Sequence, residues 1–526
     1  MRRLPLLALA LVCLCGLAGC SAFHIGAQDA TDPAAADDSL AGNASVTDPQ
    51  SDVLGWEGGF WANETLNVTP EDGLNQSELD AVVARGMARV ETVRGVEFAR
   101  PVEVSLLSRS EYRDSLGSGS ASGAGGSGDA GAAAAAAEQA ARYEALFLVG
   151  ESTDAGKQQS ENDAATVQGF YDTREDRIVV VSESATPRMD EITLSQELYH
   201  AHQFRHALRE TPFPRNATED QVTGLISLVE GDANFVDARY QQRCESGWSC
   251  LGDDGPTEGD EDGDSDAGAG ADDDTAPDTD EPGSNVHMGL YLLSYFPYAE
   301  GEELVRDIHD DEGWDGVDDL YGDPPLSSAA VIHQDRSRQT TEVTLADRSG
   351  GSWERVAAGE PGTTVGEAGI ATMFAYTLYD DRDGTLVARE DFLNTDDSGA
   401  VNATTPLNYD LAPSAGWTGD KLYAYRNGDQ TGYVWQTAWQ SPAEATEFAE
   451  AYRQLLAYQG ATQTGENAYV VDDGPFSDSF GITVDGQRVT VVNGPGSADL
   501  SNLYPRISTE STNSTVATTA TASANQ

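Results

Sequence analysis

The residues with the clearest chemical meaning are Gln196, Glu197 and His200, in the segment EITLSQELYHAHQFRH at 191–206. In the pattern His-Glu-x-x-His, two histidines four residues apart share one face of a helix and bind one metal ion. The glutamate between them activates a water molecule. Here the spacing survives, but Gln196 stands at the position of the first histidine. The pattern predicts Glu197 as a general base and His200 as a metal ligand.

A further ligand is expected downstream, at Glu230. Its segment, LISLVEGDANFVDARY at 225–240, has the apolar spacing of a buried helix. A carboxylate in such a helix costs free energy unless it is paired, hydrogen-bonded or bound to metal. Two histidines with a downstream glutamate form a known zinc ligand set, with Asp232 and Asp237 available for contacts around the ligands.

Gln196 weakens the prediction of a zinc site. A glutamine amide is a neutral oxygen donor and a poor zinc ligand beside imidazole. His202 and His206 lie two and six residues after His200, off its helix face, so neither replaces residue 196. Weak zinc binding without turnover and retained zinc-dependent peptidase activity both stay open.

Simpler interpretations also stay open. His200 can be a hydrogen-bonded, half-buried histidine, and Glu197 an ordinary surface glutamate. Glu230 can pair with Arg205 or Arg239 instead of a metal ion.

The elements that must position these residues can be predicted from periodicity and turn signals. A β-hairpin is expected over 168–182, directly before the helix at 191–206. The Gly/Ser-rich run 117–131 is expected to be an inserted loop. Other expected elements are helices at 76–93, 132–148, 286–310 and 366–377, a strand at 102–107, and a strand at 433–437 followed by a helix at 442–458.

Further motifs follow in a fixed order: FPYAEG at 296–301, GW at 313–314, DPP at 323–325, GEAG at 366–369 and GWTGD at 416–420. Together with the hairpin and the two helices, this order resembles a family of secreted zincin-like metallopeptidases of bacteria and archaea. The start, GWEGGFW at 55–61, resembles haloarchaeal surface lipoproteins of this type. The resemblance covers 54–460. It implies an α+β fold, with a zincin-like domain on a small sheet and a C-terminal β–α unit, and zinc as the cofactor.

The charge of the 526-residue chain is extreme, with 89 acidic and 30 basic residues and a net charge of −59. The 41 aromatic residues distinguish it from a disordered acidic chain, so we expect the charge to lie on a folded surface as well as on linkers. Such a surface is typical of a halophile. Nucleic-acid binding is disfavoured because nothing in the sequence resembles a basic patch.

The first twenty residues, MRRLPLLALALVCLCGLAGC, predict a signal peptide over 1–19. The ending LAGC resembles a lipobox, which implies cleavage before Cys20 and a lipid on its thiol. We therefore expect a protein anchored by lipid to the outer face of the cell membrane. The export route stays open.

Cys244 and Cys250 form an even pair in an exported chain and predict a disulfide. Seven Asn-x-Ser/Thr triplets are candidates for glycosylation. They lie at Asn43, Asn63, Asn67, Asn75, Asn216, Asn402 and Asn513.

The expected organisation is a signal peptide at 1–19, the lipidated cysteine and a tether at 20–53, and a zincin-like part at 54–250. An acidic insert at 251–285, a C-terminal part of the same or a companion domain at 286–507 and a Ser/Thr-rich tail at 508–526 follow. The expected function is a surface protein on a peptidase-like scaffold, catalytically impaired, acting in binding or envelope structure. The alternatives are an active surface peptidase that acts on exported proteins or peptides, and a solute-capturing or structural lipoprotein with no site.

Overall fold

The computed structural model describes Pro49 and most of residues 51–505. The described ranges are 51–69, 73–122, 128–182, 191–214, 216–251, 286–356, 362–380, 382–395, 401–402 and 405–505. The predicted signal peptide, Cys20, the acidic insert from residue 252 onward and the tail at 508–526 lie outside these residues.

The fold is mixed α+β, as predicted, with two small sheets and one larger antiparallel sheet. The chain divides into two compact units that interleave along the sequence. Unit 1 contains the described residues up to Asp129 together with Ala155–Arg338 and Ala375–Leu411. Unit 2 contains Ala130–Asp154, Gln339–Phe374 and the described residues from Ala412 onward.

Unit 1 is mainly helical. Its long helices are α1 (Gln76–Arg94), α5 (Glu191–Arg205), α7 (Glu219–Ser246) and α8 (Met288–Gly322); helix α3 (Gly128–Ala145) continues into unit 2. Shorter helices are α2 (Arg109–Ser122), α4 (Ala155–Thr166), α6 (Ala207–Glu210), α9 (Ser328–Ile332) and α11 (Arg389–Phe392). The predicted helices around 76–93, 191–206, 225–240 and 286–310 are thereby confirmed.

Local sequence explains where the long helices begin and end. Helix α1 starts in a capping box, in which the Asn75 side chain accepts from the backbone N–H groups of Ser77 and Glu78, while Glu78 accepts from Asn75 N. The helix ends at Gly95, whose φ of 78° is left-handed. A second capping box, Thr218 with Gln221, starts α7. These caps satisfy backbone donors that the helices leave unpaired.

The sheets of unit 1 are small. Strands β1 (Trp56–Glu57) and β2 (Phe60–Trp61) form a short hairpin. Strands β3 (Glu103–Ser108), β5 (Arg177–Ser182) and β4 (Gly169–Asp172) form a three-stranded sheet in the order β3-β5-β4. Because β4 and β5 are antiparallel neighbours, the predicted hairpin over 168–182 is confirmed, and β4 lies at a sheet edge.

The prediction of a loop over 117–131 is wrong in part, because α2 continues to Ser122 and α3 begins at Gly128. Ser108 and Glu111 explain the start of α2. Glu111 N donates to the Ser108 hydroxyl at 3.2 Å and Ser108 N donates to the Glu111 carboxylate at 3.0 Å. This Ser-x-x-Glu capping box starts a helix that runs on into the glycine-rich run.

Helices α7 and α8 approach each other through two glycines. A Cβ built on Gly231 would lie 2.1 Å from the Gly301 carbonyl oxygen, and one built on Gly301 would lie 2.1 Å from the Ser227 carbonyl oxygen. Both distances are shorter than any allowed contact, so a larger residue would push the helices apart. Gly231 and Gly301 therefore set the separation of the two helices.

Unit 2 is built on a seven-stranded antiparallel sheet in the order β6-β7-β8-β12-β11-β10-β9. The predicted strand–helix unit is present as β8 and α12, but β9–β12 and α13 follow it, so it is one part of a larger sheet. The elements are β6 (Glu354–Arg355), α10 (Gly366–Ala375), β7 (Trp417–Asn427), β8 (Gln430–Trp439), α12 (Pro442–Tyr458), β9 (Thr462–Gln463), β10 (Ala468–Val470), β11 (Ser479–Asp485), β12 (Arg488–Gly494) and α13 (Ser497–Leu503).

Candidate functional site

The predicted site residues lie together inside unit 1. Helix α5 carries Gln196, Glu197 and His200, whose exposed fractions are 4%, 2% and 1%. Helix α7 carries Glu230, which is 5% exposed. The structure therefore brings Gln196, His200 and Glu230 together where α5 and α7 pack. Glu197 is buried as well, so its interpretation as a surface glutamate is wrong.

His200 and Glu230 meet directly. Nε2 of His200 lies 3.2 Å from Oε2 of Glu230. The alternative partners of Glu230 lie elsewhere: Arg205 donates to Asp176 at 2.8 Å, and Arg239 lies 3.2 Å from Nδ1 of His309. A distance of 3.2 Å suits an ion pair. It is also close to the separation of two ligands on one tetrahedral zinc ion, since each ligand atom then lies about 2.0–2.2 Å from the metal.

The other side of the His200 ring is held by Gln203. Nδ1 of His200 lies 2.7 Å from Oε1 of Gln203, whose amide nitrogen donates to Val229 O and to the Tyr321 hydroxyl, both at 2.8 Å. Because a backbone carbonyl only accepts, the Gln203 nitrogen must face Val229 and its oxygen must face His200. Nδ1 therefore carries a proton, and Nε2 is the ring atom presented to Glu230.

Gln196 is bound to Asn234. Its amide nitrogen donates to Oδ1 of Asn234 at 2.8 Å, and the Asn234 nitrogen in turn lies 3.4 Å from Tyr298 O. The Tyr298 carbonyl fixes the orientation of the Asn234 amide, and this fixes that of Gln196. The group at the first-ligand position thus presents an amide nitrogen, which cannot bind a metal, to its neighbour on α7.

The residues present do not fit a tight zinc site. His200 and Glu230 supply two donors, and Gln196 turns its nitrogen to Asn234. Over the part of the chain that the structure describes, no third histidine, cysteine or carboxylate comes within ligand range of this pair. A structural zinc site needs four protein ligands and a catalytic one needs three.

Glu197 points from α5 towards the edge strand β4. A Cβ built on Gly169 would lie 3.9 Å from Cγ and 4.0 Å from Oε1 of Glu197. The Glu197 side chain therefore lies within ordinary contact distance of β4. This places the predicted general base beside a sheet edge, one position along α5 from Gln196.

Asp232 occupies the centre of a second network behind the site. Its carboxylate accepts from the Tyr199 hydroxyl at 2.5 Å, the Tyr321 hydroxyl at 2.9 Å and Nε of Arg94 at 3.3 Å. Burial, and then the charge of Asp232, hold the pKa of both tyrosines well above the ordinary value. Burial by itself would lower the pKa of the Arg94 guanidinium, but Asp232, Tyr199 and Asp318 together raise it above its ordinary value.

In the hydrogen bonds that the structure shows, Asp232 and Asp237 bond to neither of the predicted metal ligands, His200 and Glu230. Asp232 reaches His200 only through Tyr321 and Gln203. Asp237 accepts from the Ser195 hydroxyl. Both carboxylates fix the α5–α7 contact.

The start of α5 is anchored by Glu191, a fully buried carboxylate. It accepts from Arg85 and Arg89 on α1, both at 2.7 Å, and from the Tyr240 hydroxyl on α7 at 2.6 Å. Leu251 N adds a fourth bond at 2.9 Å. This cluster joins three helices and orients the segment that carries Gln196, Glu197 and His200.

A disulfide joins Cys244 and Cys250, with an S–S distance of 2.02 Å. The closed loop places Ser249 O 3.1 Å from Nη2 of Arg89, the same guanidinium that binds Glu191. The disulfide thus holds the end of α7 next to the Glu191 cluster. Because Leu251 follows directly, the loop also supplies the backbone donor described above.

The candidate glycosylation sites differ in accessibility. Asn43 and Asn513 lie outside the described residues, as does the predicted lipidation site, Cys20. Four of the other five candidates are exposed, and Asn402 is half-buried. The exposed four are Asn63, Asn67, Asn75 and Asn216.

Sequence reasoning missed Asn234, Gln203 and Arg94. Asn234 lies one helical turn after Glu230 and Gln203 lies three residues after His200, so both share a helix face with a predicted ligand. That spacing was a signal that both residues belong to the site. The sequence held no such signal for Arg94, since it lies more than a hundred residues before Asp232 and only the tertiary fold joins them.

Comparison with known proteins gives one match. A family model described as a domain of unknown function, DUF8575, matches residues 354–504. The matched range runs from β6 to the residue after α13 and contains the seven-stranded sheet of unit 2. No curated protein and no solved structure matches the chain. Within the described residues, no helix combines the length and apolar character needed to cross a membrane.

Proposed function

We propose that this chain is a lipid-anchored cell-surface protein of a halophile, whose unit 1 is a zincin-like metallopeptidase scaffold that has lost its complete metal site. In this proposal the protein acts by binding or as a structural part of the envelope. Its peptidase chemistry is lost because the position of the first metal ligand is an amide held by a second amide.

One observation carries the proposal. Gln196, Glu197 and His200 stand on one buried helix, Glu230 meets His200 at 3.2 Å from the next helix, and Gln196 donates to Asn234 at 2.8 Å. A helix pair that holds a histidine and a downstream glutamate in this way is the arrangement of a zinc-dependent hydrolase. The Gln196–Asn234 bond replaces the missing ligand with a neutral, internally satisfied pair.

The surface location rests on the sequence alone. The apolar run before Cys20 and the LAGC ending support export and lipidation, and the net charge of −59 supports life in concentrated salt. In molar salt the Debye length falls to about 3 Å, which screens the repulsion between surface carboxylates.

The test is the zinc content and the proteolytic activity of the mature protein, purified in molar salt. We expect far less than one zinc ion per chain and no cleavage of casein, because two donors cannot hold the ion tightly. The matched variant Glu230→Gln should behave like wild type in both measurements. Stoichiometric zinc in wild type, or casein cleavage that Glu230→Gln abolishes, would contradict the proposal.

One observation favours a second candidate, an active surface peptidase acting on exported proteins or peptides. Gln203 fixes the His200 tautomer as partners of metal-bound histidines do, and Glu197 lies beside an edge strand to which an extended peptide could add. In this case Glu197→Gln should abolish casein cleavage while the protein stays folded. An absence of cleavage in the wild type would reject this candidate.

A further inference from the structure

Unit 2 buries two carboxyl groups against each other. Glu144, near the end of α3, is 4% exposed, and Asp478, just before β11, is 5% exposed. The two side chains are hydrogen-bonded to one another. Two buried carboxyl groups in hydrogen-bond contact cannot both carry charge unless a positive group neutralises them.

Among the described residues, the charges that act most strongly on this pair are all negative. They belong to Asp478 and Glu151 for Glu144, and to Glu151 and Asp499 for Asp478. Burial raises the pKa of Glu144 well above its ordinary value and that of Asp478 to about 6.

Asn493 completes the cluster from the neighbouring strand β12. Its amide nitrogen donates to Oδ2 of Asp478 at 2.9 Å, and its side chain is fully buried. Within the described residues, Oδ1 of Asn493 and Oε1 of Glu144 are buried oxygens with no hydrogen-bond partner. A buried acceptor without a partner costs roughly 1–3 kcal/mol, so two of them beside an acidic pair indicate a missing donor or cation.

A single proton shared by Glu144 and Asp478 would neutralise one charge but leave both of these oxygens unsatisfied. A cation satisfies charge and oxygens together. Carboxylate and amide oxygens, with two formal negative charges, are the ligands that Ca²⁺ prefers, and water completes its coordination. We propose that Glu144, Asp478 and Asn493 form a binding site for one hard divalent cation of the Ca²⁺ class.

Glu57 and Glu91 in unit 1 provide a matched control, since they are also a buried, hydrogen-bonded carboxyl pair. There, however, the two oxygens of Glu91 accept from Gly55 N at 2.7 Å and Phe98 N at 2.9 Å. Two backbone donors already stabilise the Glu91 carboxylate. We therefore expect Glu57→Gln to leave Ca²⁺ binding unchanged.

The experiment is equilibrium dialysis of the full mature protein against radioactive Ca²⁺, in molar KCl at about pH 8, where KCl suppresses adventitious binding to the acidic surface. Wild type and Glu57→Gln should each bind one more ion per chain than Glu144→Gln or Asp478→Asn. Ca²⁺ should raise the thermal midpoint of wild type but not of these two variants. Both effects should fade as the pH falls below about 6 and protons compete for the carboxylates.

Equal Ca²⁺ binding by wild type and a folded Glu144→Gln, or a thermal midpoint that Ca²⁺ does not change, would overturn the proposal and leave a shared proton or a buried water molecule in its place. If Glu144→Gln and Asp478→Asn fail to fold, Asn493→Ala serves instead, because it removes one oxygen and no charge. It should bind Ca²⁺ several-fold more weakly than wild type. Unchanged affinity in that variant would equally overturn the proposal.

Discussion

At the residue scale, one amide determines what the candidate site can hold. His200 has its Nδ1 fixed by Gln203 and its Nε2 facing Glu230, which is the orientation that a metal ligand requires. Gln196, one turn earlier on the same face of α5, instead donates to Asn234. Gln196 and Asn234 therefore satisfy each other at the position where the predicted zinc site would need a third ligand.

Asp420 has a comparable role in unit 2. Its fully buried carboxylate accepts from the N–H groups of Val365 and Gly366 at 2.8 and 3.0 Å and from the Trp435 indole at 3.1 Å. These bonds cap the start of α10 and join it to β7 and β8. Asp420 of GWTGD and Gly366 of GEAG are therefore joined by a hydrogen bond.

Replacing Asp420 by alanine should lower the free energy of unfolding by about 3 kcal/mol, because three buried donors lose their acceptor. Asp420→Asn keeps one acceptor oxygen and should cost less. Denaturant unfolding in molar salt measures both, with Asp429→Ala at an exposed position as the control. Equal effects of Asp420→Ala and Asp429→Ala would show that the cap contributes nothing.

Glu300 should make stability fall as the pH rises. Burial raises its pKa to about 8, although the bond from Tyr409 N to Oε1 acts in the opposite direction. The folded state thus keeps a proton that the unfolded chain loses near pH 4.5. The resulting stabilisation is complete below pH 4.5 and is lost as the pH rises through 8, at about 1.4 kcal/mol for each unit of pKa difference.

Glu300→Gln is neutral at every pH and should remove this dependence. Unfolding free energies between about pH 5 and pH 8 should therefore fall more steeply for wild type than for the variant. Asp310→Asn, at an exposed position, should follow wild type. Parallel curves for wild type and Glu300→Gln would mean that Glu300 is not a buried neutral acid.

At the element scale, the position of α8 against α7 depends on glycine. Gly231 follows Glu230 directly on α7, so the close approach of α8 lies next to the residue whose carboxylate faces His200. The Glu191 cluster fixes the other side of the site by joining α1, α5 and α7. The site is therefore held by contacts between helices, to which the disulfide loop adds the bonds of Ser249 and Leu251.

Gly231→Ala should destabilise the protein by about 3 kcal/mol, since its Cβ would meet the Gly301 carbonyl at 2.1 Å and the helices must separate. Gly322→Ala, at the end of α8 with no atom within 4 Å of the added carbon, is the control and should be nearly neutral. Thermal unfolding of both variants in molar salt tests this. A neutral Gly231→Ala would contradict the close approach of α7 and α8.

Elements with strong local signals could be predicted from the sequence. The apolar spacing of α1, α5 and α7 and the polar turn between β4 and β5 led to correct assignments, because these patterns depend on neighbours within a few residues. The approach of Glu230 to His200 was also expected, from one acid in an apolar helix. Whether that acid meets zinc stays a prediction.

Other features depend on partners far away in the chain. The bond between Gln196 and Asn234 joins residues 38 positions apart, and Arg94 reaches Asp232 across 138. The extent of the unit 2 sheet was missed because β11 and β12 were not recognised as strands. The start of α2 did have a local signal, the capping box of Ser108 and Glu111, which the glycine-rich run beyond it obscured.

At the scale of the whole molecule, the charge dominates. A net charge of −59 on a folded chain produces strong self-repulsion in dilute buffer. Salt shortens the Debye length from about 10 Å at 0.1 M to about 3 Å at 1 M, and the repulsion falls accordingly. We therefore expect the folded protein to be least stable in dilute buffer, at about 0.1 M salt.

The thermal midpoint should rise by roughly 10 °C between about 0.1 and 2 M KCl, which corresponds to about 3 kcal/mol at 2–4 °C for each kcal/mol. Sucrose at matched osmolality adds no charge screening and should raise the midpoint less. Circular dichroism melting curves measure both. A midpoint that KCl leaves unchanged, or lowers, would contradict a salt-adapted surface.

We propose that residue 196 alone separates the α5–α7 site from a zinc site. The direct measurement is the zinc content of Gln196→His, purified in molar salt beside wild type and Gln196→Leu, which removes the amide without adding a ligand. We predict about one zinc ion per chain in Gln196→His and far less than one in the other two. Stoichiometric zinc in wild type, or none in a folded Gln196→His, would contradict the account.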